Sequence, residues 1–188
     1  MKKTTFMVTG LMMVLFATAV GCKKKESAVQ TQSTAVQKQT PPVREKIPTV
    51  TFSAAAPSGL PNVSAVPGGN GDVEWINDAQ AKGDTKVNRK DLVSMTGWAV
   101  NNQNGTVPST VLIQLNTGTM SFYALATKTR QKRPDSANAT NNPALADSAW
   151  QLDADISSVP PGKYLIGFIL SDGASIVGFD TTKYLVVE

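Results

Sequence analysis

The strongest constraint on the fold is the regular spacing of short β-prone runs over residues 71–188. The runs are rich in β-branched and aromatic residues, and turns such as Pro160-Pro161-Gly162 and Ser171-Asp172-Gly173 separate them. No long stretch has helical periodicity, so the pattern is typical of an all-β sandwich or barrel. The predicted strands are Val73–Asn77, Leu92–Val100, Thr110–Asn116, Met120–Thr127, Ala149–Ile156, Tyr164–Ser171, Ser175–Phe179 and Lys183–Val187.

Two of these runs also predict which faces are covered. Between 149 and 156, apolar and polar side chains alternate, which puts Trp150 in the core and Asp153 and Asp155 in water. The run Tyr164–Leu170 is almost continuously apolar. Such a run is typical of a central strand that is covered on both faces.

The N-terminus has the order of a secretory signal. Met1-Lys2-Lys3 is basic, an uncharged stretch with an apolar centre covers 4–21, and the only cysteine, Cys22, follows. Ala19-Val20-Gly21-Cys22 resembles the lipobox of bacterial lipoproteins, although Ala19 stands where leucine is most common. The resemblance implies that residues 1–21 are a signal peptide, that Cys22 carries lipid, and that membrane lipid is a partner of the chain.

Residues 22–70 are interpreted as the lipidated cysteine and a disordered linker, because they are polar and rich in Gln, Ser, Thr and Pro. Pro48–Phe52 is an exception that can be an edge strand or a docking peptide. The basic excess lies in residues 1–70, whereas residues 71–188 carry ten basic and twelve acidic side chains. This distribution argues against nucleic-acid binding.

Several elements occur in an order that resembles an immunoglobulin-like β-sandwich module of bacterial envelope proteins. They are Thr96–Val100, Arg133-Pro134-Asp135, Trp150 with Leu152, and Val159–Tyr164. The resemblance covers roughly 91–188 and implies an immunoglobulin-like sandwich of about seven or eight strands within a domain spanning 71–188. It implies an envelope setting and supplies no catalytic residues. Asn101 stands where the module usually has Asp.

The amino-acid composition excludes most kinds of catalytic site. The chain has no histidine and one cysteine, which excludes Ser-His-Asp and Cys-His sites and ordinary zinc ligation. Asp153 and Asp155 have the spacing of an inverting glycosidase pair, but a solvated strand face explains them more simply. Asp172 and Asp180 are conceivable calcium ligands, although a turn explains Asp172. We therefore expect no enzyme activity, no cofactor and no metal.

The candidates for binding outside the anchor are three residues: Trp75, Arg133 and Asp135. Arg133 can bind an anion, although its pairing with Asp135 can equally hold a loop between sheets. Trp75 is the aromatic residue most expected to be exposed, and Trp98 and Trp150 are alternatives for a sugar-stacking platform.

The resulting hypothesis is a lipid-anchored envelope protein that acts as a non-catalytic protein-interaction module and contacts another envelope protein. A glycan-binding lipoprotein and an inhibitor or exclusion factor are the alternatives. By analogy with lipoproteins, the absence of Asp after Cys22 favours the outer membrane if the host is Gram-negative.

Overall fold

The fold of this chain is all-β, with two six-stranded mixed sheets that enclose one core. The computed structural model describes residues 47–58, 60, 66–133, 135, 142–173 and 175–188. Sheet 1 contains β1 (Thr49–Thr51), β3 (Gly69–Ile76), β4 (Ala79–Gln80), β6 (Leu92–Asn101), β9 (Lys128–Gln131) and β10 (Ala149–Asp155). Sheet 2 contains β2 (Val66–Pro67), β5 (Asp84–Val87), β7 (Thr110–Asn116), β8 (Ser121–Leu125), β11 (Gly162–Ser171) and β12 (Ile176–Val187).

Each sheet has antiparallel strands at its centre. On one side of each sheet, two short strands pair with different halves of the same longer strand. Sheet 1 runs β1-β10-β6-β3-β4, and β9 pairs with the first half of β10 while β1 runs parallel to its second half. Sheet 2 runs β2-β12-β11-β7-β8, and the short strands β2 and β5 pair with opposite ends of β12. The short strands therefore cover part of an edge that would otherwise expose unpaired backbone groups.

The core contains residues from both sheets, as expected of a β-sandwich. Trp150 of sheet 1 is 1% exposed and meets Phe168 of sheet 2 edge-on, with ring centroids 5.4 Å apart. This confirms the prediction that Trp150 packs in the core. Lys183 of β12 also crosses to sheet 1, where its Nζ donates to Asp72 Oδ2 at 2.6 Å.

All eight predicted strands are strands in the structure, but the predicted total of seven or eight is wrong, since the described residues form twelve strands. Ser175–Phe179 and Lys183–Val187 belong to the single strand β12, whose register against β11 shifts between Leu165 and Gly167. The other differences are five strands of two to four residues, namely β1, β2, β4, β5 and β9. Strands this short carry too few side chains to display alternation.

The predicted domain boundary at residue 71 is too late. Ile47 is 6% exposed and Phe52 is fully buried in the core. Residues 47–53, which we call the strap, pair with sheet 1 through β1 and then reach sheet 2, where Ser53 N donates to Tyr123 O at 3.0 Å. Pro48–Phe52 is thus part of the fold and supplies an edge strand. The first part of the predicted linker, residues 22–46, lies outside the described residues.

The loop between β9 and β10 contains a 3₁₀ helix over Pro143–Asp147. Its N-cap is Asn142, whose side-chain oxygen accepts a hydrogen bond from Ala144 N at 3.0 Å. Asn is among the residues favoured at the N-cap position.

Candidate functional site

The outer face of sheet 2 carries a row of apolar side chains. Cross-strand register aligns Leu125, Leu112 and Ile169 in one row, which we call the apolar row. Leu112 is fully buried by its neighbours, whereas Leu125 is 37% exposed. The outer face of sheet 1 differs, since β10 presents Gln151, Asp153 and Asp155 there.

The prediction that β11 is a central strand covered on both faces is confirmed only in part. It is central in sheet 2, with β12 on one side and β7 on the other. Its core-facing residues Ile166 and Phe168 are buried, but Leu165 and Ile169 on the outer face are only half-buried. Within the described residues, no further layer covers them.

A second row, the polar row, lies beside the apolar row. It consists of Tyr123, Gln114, Gly167 and Asp180, which pair in register across four strands. A Cβ at position 167 would lie 2.6 Å from Asp180 Oδ1, so the carboxylate lies over this glycine on the outer face. The Asp180 carboxylate therefore occupies the space that a side chain at position 167 would need.

A shallow cleft of about 570 Å³ opens on this side of the molecule. Residues that line it include Pro67, Gln114, Tyr123, Ile169, Gly178 and Asp180. Gln114 Nε2 donates to Ser121 Oγ at 3.0 Å, and its Oε1 accepts no hydrogen bond from the described part of the chain. The carboxylate of Asp180 is exposed and has no hydrogen bond or ion pair to any described residue. The cleft thus combines the ring of Tyr123 with two acceptor groups that have no partner among the described residues.

The structure places Trp75 elsewhere, on the outer face of sheet 1. Trp75 is half-buried and lies opposite Thr96, and Trp98 occupies the same face two residues further along β6. The tryptophans and the cleft are therefore on opposite sheets and do not form one surface.

Arg133 is engaged by two carboxylates of its own chain. Its Nη1 and Nη2 donate to Glu74 Oε2 and Oε1, both at 2.6 Å, and its Nε donates to Asp135 Oδ2 at 3.1 Å. Burial lowers the pKa of Arg133, but the hydrogen bonds to Glu74 and Asp135 outweigh burial and raise the pKa above its usual value. The pairing with Asp135 agrees with a loop-holding role, and it leaves the guanidinium few donors for an external anion. Nothing in the sequence indicated Glu74, since it is 59 residues away from Arg133.

Asn101 belongs to a polar cluster at one end of the sandwich. It is 1% exposed, and its Nδ2 donates to Ser175 Oγ at 2.8 Å. Asp172 accepts from Ser175 N at 2.9 Å and from Asn104 Nδ2 at 2.7 Å. An Asp at position 101 would bring a second carboxylate to Asp172, which explains why an amide suits this position.

Asp153 and Asp155, the acidic pair with glycosidase-like spacing, have ordinary partners. Asp153 accepts a hydrogen bond from Ser94 Oγ, and Asp155 accepts one from Ser157 N at 2.8 Å. The hydrogen bonds from Ser157 hold the pKa of Asp155 below its usual value. Among the described residues, no three acidic, histidine or cysteine side chains come together as a metal site.

Cys22 lies outside the described residues, and no helix among those residues is long and apolar enough to cross a bilayer. Comparisons with protein-family models, curated proteins and solved structures found no match.

Proposed function

We propose that this chain is a lipid-anchored bacterial envelope protein whose sandwich is a non-catalytic protein-interaction module of immunoglobulin-like type. The proposal assigns Cys22 to the lipid and the outer face of sheet 2 to another envelope protein. The linker before the strap sets how far the module stands from the membrane.

The observation that carries the proposal is the mismatch between the sequence of β11 and its exposure. A short continuous apolar run is consistent with a strand that is buried on both faces. In β11, Leu165 and Ile169 are only half-buried, and the apolar row extends from Ile169 to the exposed Leu125. A protein partner that covers this face would remove the exposed apolar surface from water.

The exposed large apolar side chains lie mainly on sheet 2 or its turns. Large apolar side chains are exposed at Val66, Leu92, Met120 and Leu125 among the described residues. Val66 is in β2, Leu125 is in β8, and Met120 directly precedes β8, so three of the four belong to sheet 2 or its turns. Only Leu92 lies in sheet 1.

In-cell photocrosslinking tests the proposal. A photoreactive residue at position 125 should capture one envelope protein, whereas the same residue at position 92 should not. Leu92 is a matched control because it is a more exposed leucine, 60% against 37%, on the other sheet. Leu125→Asp should remove the co-purifying protein without lowering the melting temperature. Equal capture from both positions, or none from position 125, would refute the proposal.

A further inference from the structure

The polar row offers hydrogen-bonding groups that the fold itself does not use. Asp180 has no partner among the described residues, and the Oε1 of Gln114 accepts no hydrogen bond there. Other polar side chains, such as those of Arg133 and Asp172, have hydrogen-bond partners within the sandwich. Two acceptors that remain unpaired in one cleft point to a ligand that donates hydrogen bonds.

The charge of the cleft excludes an anionic ligand. No lysine or arginine lines it within the described residues, and Asp180 is its only charged group there. The lysines of the adjacent strands are engaged elsewhere: Lys163 Nζ bonds Asp84 Oδ2 at 2.7 Å, and Lys183 Nζ bonds Asp72 Oδ2 at 2.6 Å. A phosphate or carboxylate would meet the uncompensated charge of Asp180, whereas a neutral hydroxyl can donate to it.

The shape of the cleft fits a flat, extended ligand. Tyr123 and Asp180 lie three strand spacings apart, roughly 14 Å. Gly68, Gly69 and Gly178 line the cleft between these ends and add no side chains to it. Tyr123 supplies an aromatic ring with a polar hydroxyl at one end, which suits a sugar ring with an apolar face and polar edges.

We propose that this cleft binds a neutral oligosaccharide. Asp180 accepts hydrogen bonds from sugar hydroxyls, Gln114 orients the chain through its amide oxygen, and Tyr123 stacks on a terminal ring. This ligand goes beyond the protein partner proposed above and uses the polar row, whereas the partner uses the apolar row.

Isothermal titration calorimetry of the full chain, in a detergent without a sugar headgroup, tests this inference. The neutral probes are maltotetraose, cellotetraose and chitotetraose, and the anionic probe is tetragalacturonate. We expect at least one neutral probe to bind and tetragalacturonate not to bind. Asp180→Ala and Tyr123→Ala should each weaken binding by about tenfold or more, since each removes a hydrogen bond or a stacking surface.

Matched controls separate this inference from the protein partner. Asp91→Ala removes another exposed carboxylate, in the turn before β6, and should leave the affinity unchanged. Leu125→Asp should abolish capture of the protein partner and leave sugar binding intact. Asp180→Asn should weaken sugar binding and leave capture of the protein partner intact. Failure of all three neutral probes, undiminished affinity in Asp180→Ala, or salt-sensitive binding of an oligolysine peptide in place of sugars would overturn the inference.

Discussion

Ion pairs of single side chains hold a loop against sheet 1 and join the two sheets. Arg133 is the clearest case, since its side chain is 16% exposed and bridges the loop after β9 to Glu74 of β3. A planar guanidinium can bind a carboxylate with two parallel hydrogen bonds, which a lysine ammonium cannot reproduce. Asp72 and Lys183 make a comparable connection between the two sheets.

We expect Arg133→Lys to lower the free energy of unfolding by about 1–2 kcal/mol, because charge-assisted hydrogen bonds are lost in a half-buried position. Urea denaturation measures this change. Lys86→Ala, which breaks the exposed ion pair with Glu188, is the control and should have little effect. An equal loss of unfolding free energy in both variants would show that the ion pair with Glu74 stabilises the fold no more than an exposed ion pair does.

A second prediction concerns Asp155 and acid. Its pKa is lower in the folded chain because Ser157 donates hydrogen bonds to it, so the carboxylate stabilises the fold above its ordinary pKa of about 3.9. That contribution is lost as the pH falls through the lower folded pKa. Asp155→Asn should therefore make stability less dependent on pH below about 4. Chemical denaturation across this range checks it, with Asp91→Asn as the control; identical pH profiles for wild type and Asp155→Asn would contradict the prediction.

Among the elements, the strap is short but contacts both sheets. β1 has only three residues, yet it joins β10 of sheet 1 and leads through Phe52 to the edge of sheet 2 at Ser53. The Phe52 backbone is held on both sides, as its N donates to Asp155 O at 3.1 Å and its O accepts from Ser158 Oγ. The strap therefore closes one side of the sandwich.

Phe52→Ala should lower the free energy of unfolding by about 3–5 kcal/mol, because it removes a fully buried aromatic side chain from the core. Thr49→Ala, an exposed position in the same strand, should change stability by no more than about 0.5 kcal/mol. Thermal or urea unfolding distinguishes the two. A Phe52→Ala variant as stable as Thr49→Ala would show that the strap only rests on the surface.

At the scale of the whole molecule, the proposed architecture is a sandwich joined to a lipid anchor by the linker. The strap lies between β10 of sheet 1 and β8 of sheet 2. The outer face of sheet 2 carries the apolar and polar rows, and the outer face of sheet 1 carries Trp75 and Trp98.

Cys22→Ser should leave an unprocessed precursor without lipid, because serine lacks the thiol that would form the thioether. Metabolic labelling with an alkyne fatty acid and the electrophoretic shift of the chain measure the result. Labelling and processing that persist in Cys22→Ser would exclude the lipoprotein assignment. Thr18→Ser, a change in the same segment that keeps Cys22, is the control and should be labelled and processed normally.

The sequence alone determined the all-β class, the eight main runs of strand and the burial of Trp150, because these follow from local periodicity and turn residues. It left open whether Pro48–Phe52 forms an edge strand, and it did not determine the other four short strands, the start of the fold at the strap or the bidentate pairing of Glu74 with Arg133. Those features depend on backbone pairing and contacts between residues far apart in the chain.

The candidate site shows the same division. The apolar run of β11 predicted two covered faces, but only the tertiary structure showed that the outer one is open and that Asp180, Gln114 and Tyr123 align beside it. Register decides which side chains from four strands become neighbours, and each strand encodes only its own alternation. The chemistry of the cleft is therefore a property of the assembled sheet.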